Sequence, residues 1–395
     1  MCVSLIDAIQ TQLKLHNIQG WLLYDLHGSN PLALSVMHIP CNTLMTRRSF
    51  YWIPQMGSPV KIVHRVEADN LDHLPGEKRP YLGWGEMHEH LKEILLGSQI
   101  VAMEYSPHQA IPTLCKVDAG LVDLIRSFGV NVVSSAPFLQ FFTCVWDEEQ
   151  YALHKEAAQI LDNTAEKTWE WLGRAVKMGK SVSEYDVQQF ILSELKMAKC
   201  ITEGMPICGV NQNSAYPHYV PVQKQSIIIR EQDLVLIDLW CKRDLPRAVF
   251  ADITRVGIVA STPTPKQQTI FDIVRKAQKA GINQIKWHMH NNLDITGAEV
   301  DLEVRRIIRE AGYASYFTHR TGHNIHTDCH GPGTNLDALE TEDSRLLIPK
   351  TCCSIEPGIY LHGEFGIRLE NNLYIHANGK VEVTSPLQEK FVSIE

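Results

Sequence analysis

The order of predicted elements in this 395-residue chain points to an α+β protein whose larger part is built from two similar halves, preceded by a smaller mixed α/β domain. Three observations carry that reading. From residue 148 onward, two amphipathic helices followed by short strands occur twice in succession. Ahead of residue 148, apolar strand-like segments alternate with helical patterns. At roughly 150 residues per domain the length gives two or three domains, and the expected units are 1–147 and 148–395.

In the first part, Trp21-Leu22-Leu23-Tyr24 and Val60-Lys61-Ile62-Val63 read as strands, with helical patterns around 88–96 and 110–128. Asp25 and His27 read as turn residues, and no motif there carries chemistry. Residues 137–144 form the expected join. A long helix starts near Glu148 with Ala157, Ile160, Leu161, Ala165 and Leu172 on one face. The next opens with Ser181-Val182-Ser183-Glu184, read as a capping box, and carries Val187, Phe190, Ile191 and Leu195 at helical spacing. Strands are expected at 227–229, 234–239 and 249–259. Then the scheme recurs. Thr264 as N-cap with Pro265 at the first helical position leads into Ile270, Ile273, Val274 and Ala277. Thr296-Gly297-Ala298-Glu299 is a second capping box, leading into Val300, Val304, Ile307 and Ile308. Strands around 353–355, 373–376 and 381–384 follow. A site between the two halves is the natural expectation.

Composition sets outer limits. A hydrophobic fraction of 44% and a charged fraction of 21% are ordinary for a soluble globular protein. The net charge of −8 argues against nucleic acid or an anionic membrane as main partner. No apolar run approaches the ~18 residues of a membrane span. The opening Met1-Cys2-Val3-Ser4-Leu5-Ile6-Asp7 lacks the basic segment of a signal peptide. Ten scattered cysteines without CxxC spacing read as reduced thiols of a cytoplasmic protein.

The chemistry lies in the second part. Asp238 ends the apolar run Leu234-Val235-Leu236-Ile237; alone it reads as a cap or turn former. Asp252 lies inside a strand-like segment, and alone reads as an edge-strand residue or the partner of Arg255. Together they say more. Two strands joined by a reversing loop can place both carboxylates on one sheet face, where they repel unless a cation sits between them. Glu356 ends Cys352-Cys353-Ser354-Ile355, with Pro357-Gly358 expected to stop the strand. Glu370 shares strand parity with Arg368. His319, His323, His326 and His330 fall within twelve residues. On a helix, three of them would imitate a zinc site, but Gly322, Gly331, Pro332 and Gly333 break any helix, so one or two ligands are expected. Two Asp, one His and two Glu suit a pair of divalent ions about 3.5–4 Å apart, able to deprotonate a shared water at neutral pH.

From about residue 148 the sequence resembles the pita-bread metallopeptidases: aminopeptidase P, Xaa-Pro dipeptidase (prolidase) and methionine aminopeptidase. The segments that carry the resemblance are Leu236-Ile237-Asp238-Leu239, Ala251-Asp252-Ile253-Thr254-Arg255, Thr321-Gly322-His323, Ser354-Ile355-Glu356-Pro357-Gly358-Ile359-Tyr360 and Gly366-Ile367-Arg368-Leu369-Glu370, in the family's order. The resemblance implies a pita-bread (creatinase/aminopeptidase-like) catalytic domain. It puts Asp238, Asp252, His323, Glu356 and Glu370 on two divalent ions, manganese first, with zinc, cobalt or iron open. It implies that a metal-bridged hydroxide attacks and that Glu356 handles its proton. His218, in Asn213-Ser214-Ala215-Tyr216-Pro217-His218-Tyr219, would contact substrate, and His330 would bind the scissile carbonyl and its oxyanion. Arg368 would support the ligands and the substrate site.

Residues 1–147 resemble, more loosely, the creatinase-type domain of the proline-specific members. That favours cleavage of short proline-containing peptides between the N-terminal residue and proline, and the family resemblance as a whole implies a homodimer. Proline's missing N–H and fixed φ make such bonds poor substrates for general peptidases. A non-catalytic peptide-binding module and a metal-free creatinase-like hydrolase are the alternatives, and dipeptidase against aminopeptidase stays open. The chain also departs from the family. Trp240 stands where a glycine is usual, and Asn324 and His326 replace two more glycines. Gly331 and Asn371 stand where acids often occur, and the loop between Asp238 and Asp252 is longer. These departures bear on pocket shape; none is a metal ligand.

Overall fold

A computed structural model describes residues 4–40 and 42–394. Its internal contacts divide the chain between Thr143 and Cys144.

The N-terminal unit is a six-stranded mixed sheet in the order Glu77–Tyr81, Val60–His64, Ser49–Pro54, Gly20–Asp25, Ile100–Met103, Asn131–Ser134. The strand Gly20–Asp25 is buried along its whole length, because helices cover both sheet faces and successive side chains alternate between them. Trp21 and Leu23 pack with Ile9, Leu13 and Phe138, whereas Leu22 and Tyr24 pack with Met87, Leu91 and Ile125. The helical pattern expected over 110–128 shrinks to Ala119–Ser127, since Pro107 and Pro112 open short 3₁₀ turns ahead of it. Asp25 is a turn residue, and a buried one: its carboxylate accepts from the Gly28 and Asn30 amides at 2.9 Å.

The C-terminal unit repeats one arrangement of two helices and paired strands. Its first half pairs the helices Glu148–Lys177 and Glu184–Met197 with the strands Leu234–Arg243 and Ala251–Ile258. The second pairs Pro265–His290 and Gly297–Glu310 with Cys352–Ile355 and Asn371–Ile375. Thr264 and Thr296 form capping boxes with Gln267 and Glu299. One cap differs from expectation. The second helix is capped by Ser183 with Asp186, not by Ser181 with Glu184, which frees the buried Glu184 for another use. Residues 227–229 form no strand; Ile228 makes a single bridge to Ser183. Pro357-Gly358 does not end extended structure either, because Gly358–Leu361 starts a separate two-stranded ribbon with Phe365–Arg368.

Parity decides which side chains reach the site. On Leu234–Arg243, Val235, Ile237 and Leu239 pack against Leu161, Leu172 and Ile191 of the first helix pair. The other face puts Leu234 and Leu236 against Ile270, Val274 and Val304 of the second pair. Each such burial is worth about 1.5–3 kcal/mol. Asp238 continues the second face just where the apolar packing ends.

Candidate metal centre

Asp238 lies opposite Thr254 in the antiparallel ladder and Asp252 opposite Trp240. The two aspartates are therefore diagonal neighbours on one sheet face, within reach of each other. Arg255 has the opposite parity: its guanidinium meets Asp162 at 3.2 Å and the Glu370 carbonyl at 2.6 Å. The reading of Asp252 as its ion-pair partner is thereby replaced.

The second half closes over this pair. Thr254 Oγ1 donates to Glu370 Oε2 at 2.7 Å. The Glu356 amide donates to the Thr321 carbonyl at 2.8 Å, which brings Glu356 beside His323. His323 Nε2 lies 3.5 Å from Glu356 Oε1 and 3.7 Å from Asp252 Oδ2. Close backbone approach makes this possible. A Cβ at Gly322 would stand 2.1 Å from the Ser354 carbonyl oxygen, so only glycine admits the strand that presents His323. Asp301 ties down the same segment from its helix, accepting from the Thr321 amide at 3.0 Å and hydroxyl at 2.5 Å.

Three groups of donor atoms, each within 4.8 Å of one another, result: Asp238 with Asp252 and Glu370, His323 with Glu356 and Glu370, and Asp252 with His323 and Cys329. Burial raises the carboxyls of Asp238 and Asp252 to about 6 and pushes Glu356 and Glu370 upward as well, with neighbouring carboxylates adding to the rise at Asp238, Glu356 and Glu370. Arg368 offsets part of this from inside the cluster, donating to Asp238 Oδ2 at 2.5 Å, Thr254 Oγ1 at 2.9 Å and the Tyr360 hydroxyl at 3.2 Å. One guanidinium does not balance four carboxylates, and Asp252 Oδ1 is buried without a hydrogen-bond partner. An oxygen-rich, charge-deficient cluster with an orphaned buried carboxylate oxygen fits divalent cations.

The cluster lies on the wall of a cavity of about 550 Å³, which His218, His319, Arg320, His330 and Trp240 also line. The imidazoles of His323 and His330 are 4.2 Å apart. His330 is held neutral, near 3, by His323 first and by burial second. His319 donates from Nδ1 to the Arg320 carbonyl at 2.7 Å and accepts at Nε2 from the Tyr360 hydroxyl at 2.6 Å, and burial drops its pKa to about 3. His326 lies off the cavity wall, against Thr327 Oγ1. The exposed His218 rides on a loop anchored by Glu184, which accepts from the Val210 and Ile227 amides, Asn213 Nδ2 and the Tyr219 hydroxyl at 2.7–3.0 Å.

The pattern described as Metallopeptidase family M24 matches residues 152–377. The chain belongs to this family. Among curated family relatives, the putative dipeptidase YkvY of Bacillus subtilis is 30% identical over 259 residues, 65% of this chain and 64% of that protein. The Xaa-Pro dipeptidase of Pyrococcus horikoshii is 35% identical over 183 residues, 46% of this chain and 47% of that one. The match thus spans under two thirds of the first relative and about half of the second. Among solved structures, dipeptidase PepE from Mycobacterium ulcerans superposes with a TM-score of 0.69 at 18% identity, over 99% of this chain and 97% of its own. An Xaa-Pro dipeptidase from Bacillus anthracis gives 0.63 at 21%, over 98% of both. At these identities the M24 likeness to solved structures is one of fold.

Two of the residues noted above as unusual, Asn324 and Gly331, are coupled in the structure. Asn324 is buried: it donates to the Cys352 carbonyl at 2.9 Å and accepts from the Gly333 amide at 3.0 Å. A Cβ at residue 331 would stand 2.3 Å from Asn324 Oδ1. With Asn324 held by these hydrogen bonds, a side chain at 331 would crowd its amide and His326. Trp240 Nε1 donates to the Glu203 carbonyl at 2.9 Å and walls the cavity. Sequence reasoning missed Cys329, Thr254, Tyr360, Glu184 and Asn372. Cys329 had one signal, its place beside His330; the others belong to the site only through contacts distant in sequence.

Proposed function

We propose that the protein is a metal-dependent Xaa-Pro peptidase, acting on short peptides between the N-terminal residue and proline. The observation that carries this is the buried group of Asp238, Asp252, His323, Glu356 and Glu370 at the wall of an open cavity. Asp238, Asp252 and Glu370 would hold one ion and His323, Glu356 and Glu370 the other. For so carboxylate-rich a set manganese comes first, with zinc, cobalt and iron as the alternatives. Two such ions would polarise the scissile carbonyl and make a water acidic enough to attack at neutral pH.

The chain's own groups supply the rest. Glu356, whose Oε1 accepts from Ser354 Oγ at 3.0 Å, takes the attacking water's proton and delivers it to the proline nitrogen as the C–N bond breaks. His330, neutral beside His323, donates a hydrogen bond to the developing oxyanion, and His218 contacts the substrate from the loop above. Arg368 keeps Asp238 oriented. Glu203, Asp328 and Glu340 line the cavity with negative charge suited to a free amino terminus, and Arg320 offers positive charge to a carboxylate terminus. We therefore infer a dipeptidase. Residues 1–147 are assigned as a creatinase-type domain and 148–395 as the catalytic one. A homodimer and a cytoplasmic location complete the proposal; no helix among the described residues is long and apolar enough to cross a membrane, and an X-prolyl aminopeptidase of the same fold from Caenorhabditis elegans, at 16% identity, is described as a cytosolic enzyme with a di-nuclear active site.

The test is hydrolysis of Ala-Pro beside Ala-Pro-Ala by metal-reconstituted protein. Cleavage of the dipeptide alone is expected. Preference for the tripeptide makes the enzyme an aminopeptidase, and cleavage of neither by protein holding two ions removes X-Pro specificity.

A further inference from the structure

Cys329 is not used by the ligand set above, yet it faces the same point. It is 7% exposed, and its Sγ lies 3.2 Å from Asp252 Oδ2. That sulfur, an Asp252 oxygen and a His323 nitrogen all lie within 4.8 Å of one another. Donors bound at about 2.0–2.3 Å to one ion stand at most about 4.6 Å apart, and the 3.2 Å from Sγ to Asp252 Oδ2 and the 3.7 Å from His323 Nε2 to the same oxygen lie inside that limit. Both partners of Cys329 in this trio keep donor capacity for an ion. Asp252, 94% buried, leaves Oδ1 without a partner. His323 directs Nδ1 toward the Asn324 carbonyl at 3.2 Å, while its Nε2 meets only carboxylate oxygens at 3.5 and 3.7 Å. That leaves Nε2 available to an ion. The turn carrying Cys329 is pinned on both sides, by its own amide on Glu203 Oε2 at 3.2 Å and by the Gly331 amide on the Asn324 carbonyl at 2.7 Å.

We propose that Cys329 is a sulfur ligand of the ion on the histidine side, making that position selective for a thiophilic divalent metal (zinc, cobalt or iron) over manganese. The inference rests on the metal reading above. On coordination the S–H bond breaks, the sulfur donates its electron pair to the ion, and the proton leaves to solvent through the cavity. The two positions are then unequal. The Asp238 side offers oxygen donors alone and suits a hard ion, whereas the His323 side offers nitrogen, oxygen and sulfur.

The experiment is titration of the metal-free full chain with cobalt(II) under anaerobic conditions, followed by absorption. A near-ultraviolet sulfur-to-cobalt charge-transfer band is expected to grow together with the visible d–d bands. Cys329→Ser is expected to keep the d–d bands, lose the charge-transfer band and bind zinc at least about 10-fold more weakly, the lower end of the loss seen when a group that merely supports a ligand is removed, with manganese binding unchanged. Visible bands without a charge-transfer band in the wild type, or a band that persists in Cys329→Ser, overturns the sulfur assignment while leaving the metal centre standing. Absence of both bands overturns the metal centre and this inference with it. Should Cys329→Ser fail to fold, X-ray absorption of the zinc-loaded wild type decides. A sulfur scatterer at about 2.3 Å supports the assignment, and only nitrogen and oxygen at about 2.0–2.2 Å overturn it.

Discussion

Asp252 in the first half and Asn372 in the second exchange two hydrogen bonds: the Asp252 amide donates to Asn372 Oδ1 at 2.9 Å, and Asn372 Nδ2 donates to the Asp252 carbonyl at 2.8 Å. One side chain thus satisfies both backbone groups of a candidate metal ligand and fastens the halves together where the ions would sit. Asn372→Ala leaves a buried N–H and C=O unpaired, at a cost of about 1–3 kcal/mol for each. Urea unfolding is expected to show that loss, and calorimetry a weaker metal affinity. A variant matching wild type in both would remove Asn372 from the site's support.

Arg368 is the cation buried among the carboxylates. Arg368→Met is expected to destabilise the metal-free protein by about 3–5 kcal/mol, the range for a buried charge that loses its partner. Saturating metal should narrow the gap, because the ions take over the neutralising role. Equal gaps with and without metal would mean that Arg368 acts through packing alone.

Much of this was legible in the sequence and some was not, for physical reasons. The repeated pair of helices and strands, the caps at Thr264 and Thr296 and the burial of Asp238 and Asp252 on one sheet face follow from local periodicity and parity. The Ser181–Glu184 cap failed because two serines compete for one helix start, and Ser183 finds Asp186 three residues on. Glu184 then serves a loop reaching to residue 227, a relationship without local signature. The coupling of Asn324 to Gly331 is likewise steric and appears only when the chain is folded.

Glu184 holds the loop that carries His218 by four separate donors. Glu184→Gln removes the charge behind these hydrogen bonds, each worth about 1.5–3 kcal/mol, and its amide nitrogen faces one of the Val210 and Ile227 amides, which bind different oxygens and each need an acceptor. KM for Ala-Pro is expected to rise by more than kcat falls. A change confined to kcat would place Glu184 nearer the chemistry than its contacts do.

Asp238 and Asp252 carry carboxyls raised from 3.8 to about 6 by burial. An acid whose pKa is higher in the folded state holds its proton more firmly there, so its contribution to stability is present below about 4 and lost as pH rises through about 6. Metal binding requires those protons to leave. Calorimetry in buffers of different ionisation heat is expected to show proton release on metal binding at pH 5 and less at pH 7, with affinity rising across that interval. Release that does not change with pH would contradict the raised values.

The most direct test of the central claim, that the buried carboxylate cluster is the hydrolytic centre of an Xaa-Pro peptidase, is the turnover of Ala-Pro by metal-loaded Glu356→Gln against wild type. The expected result is active wild type and a kcat reduced by at least about 10²–10⁴-fold in the variant, the scale for loss of a general base. Equal turnover by the two, or none by wild type carrying its two ions, contradicts the account.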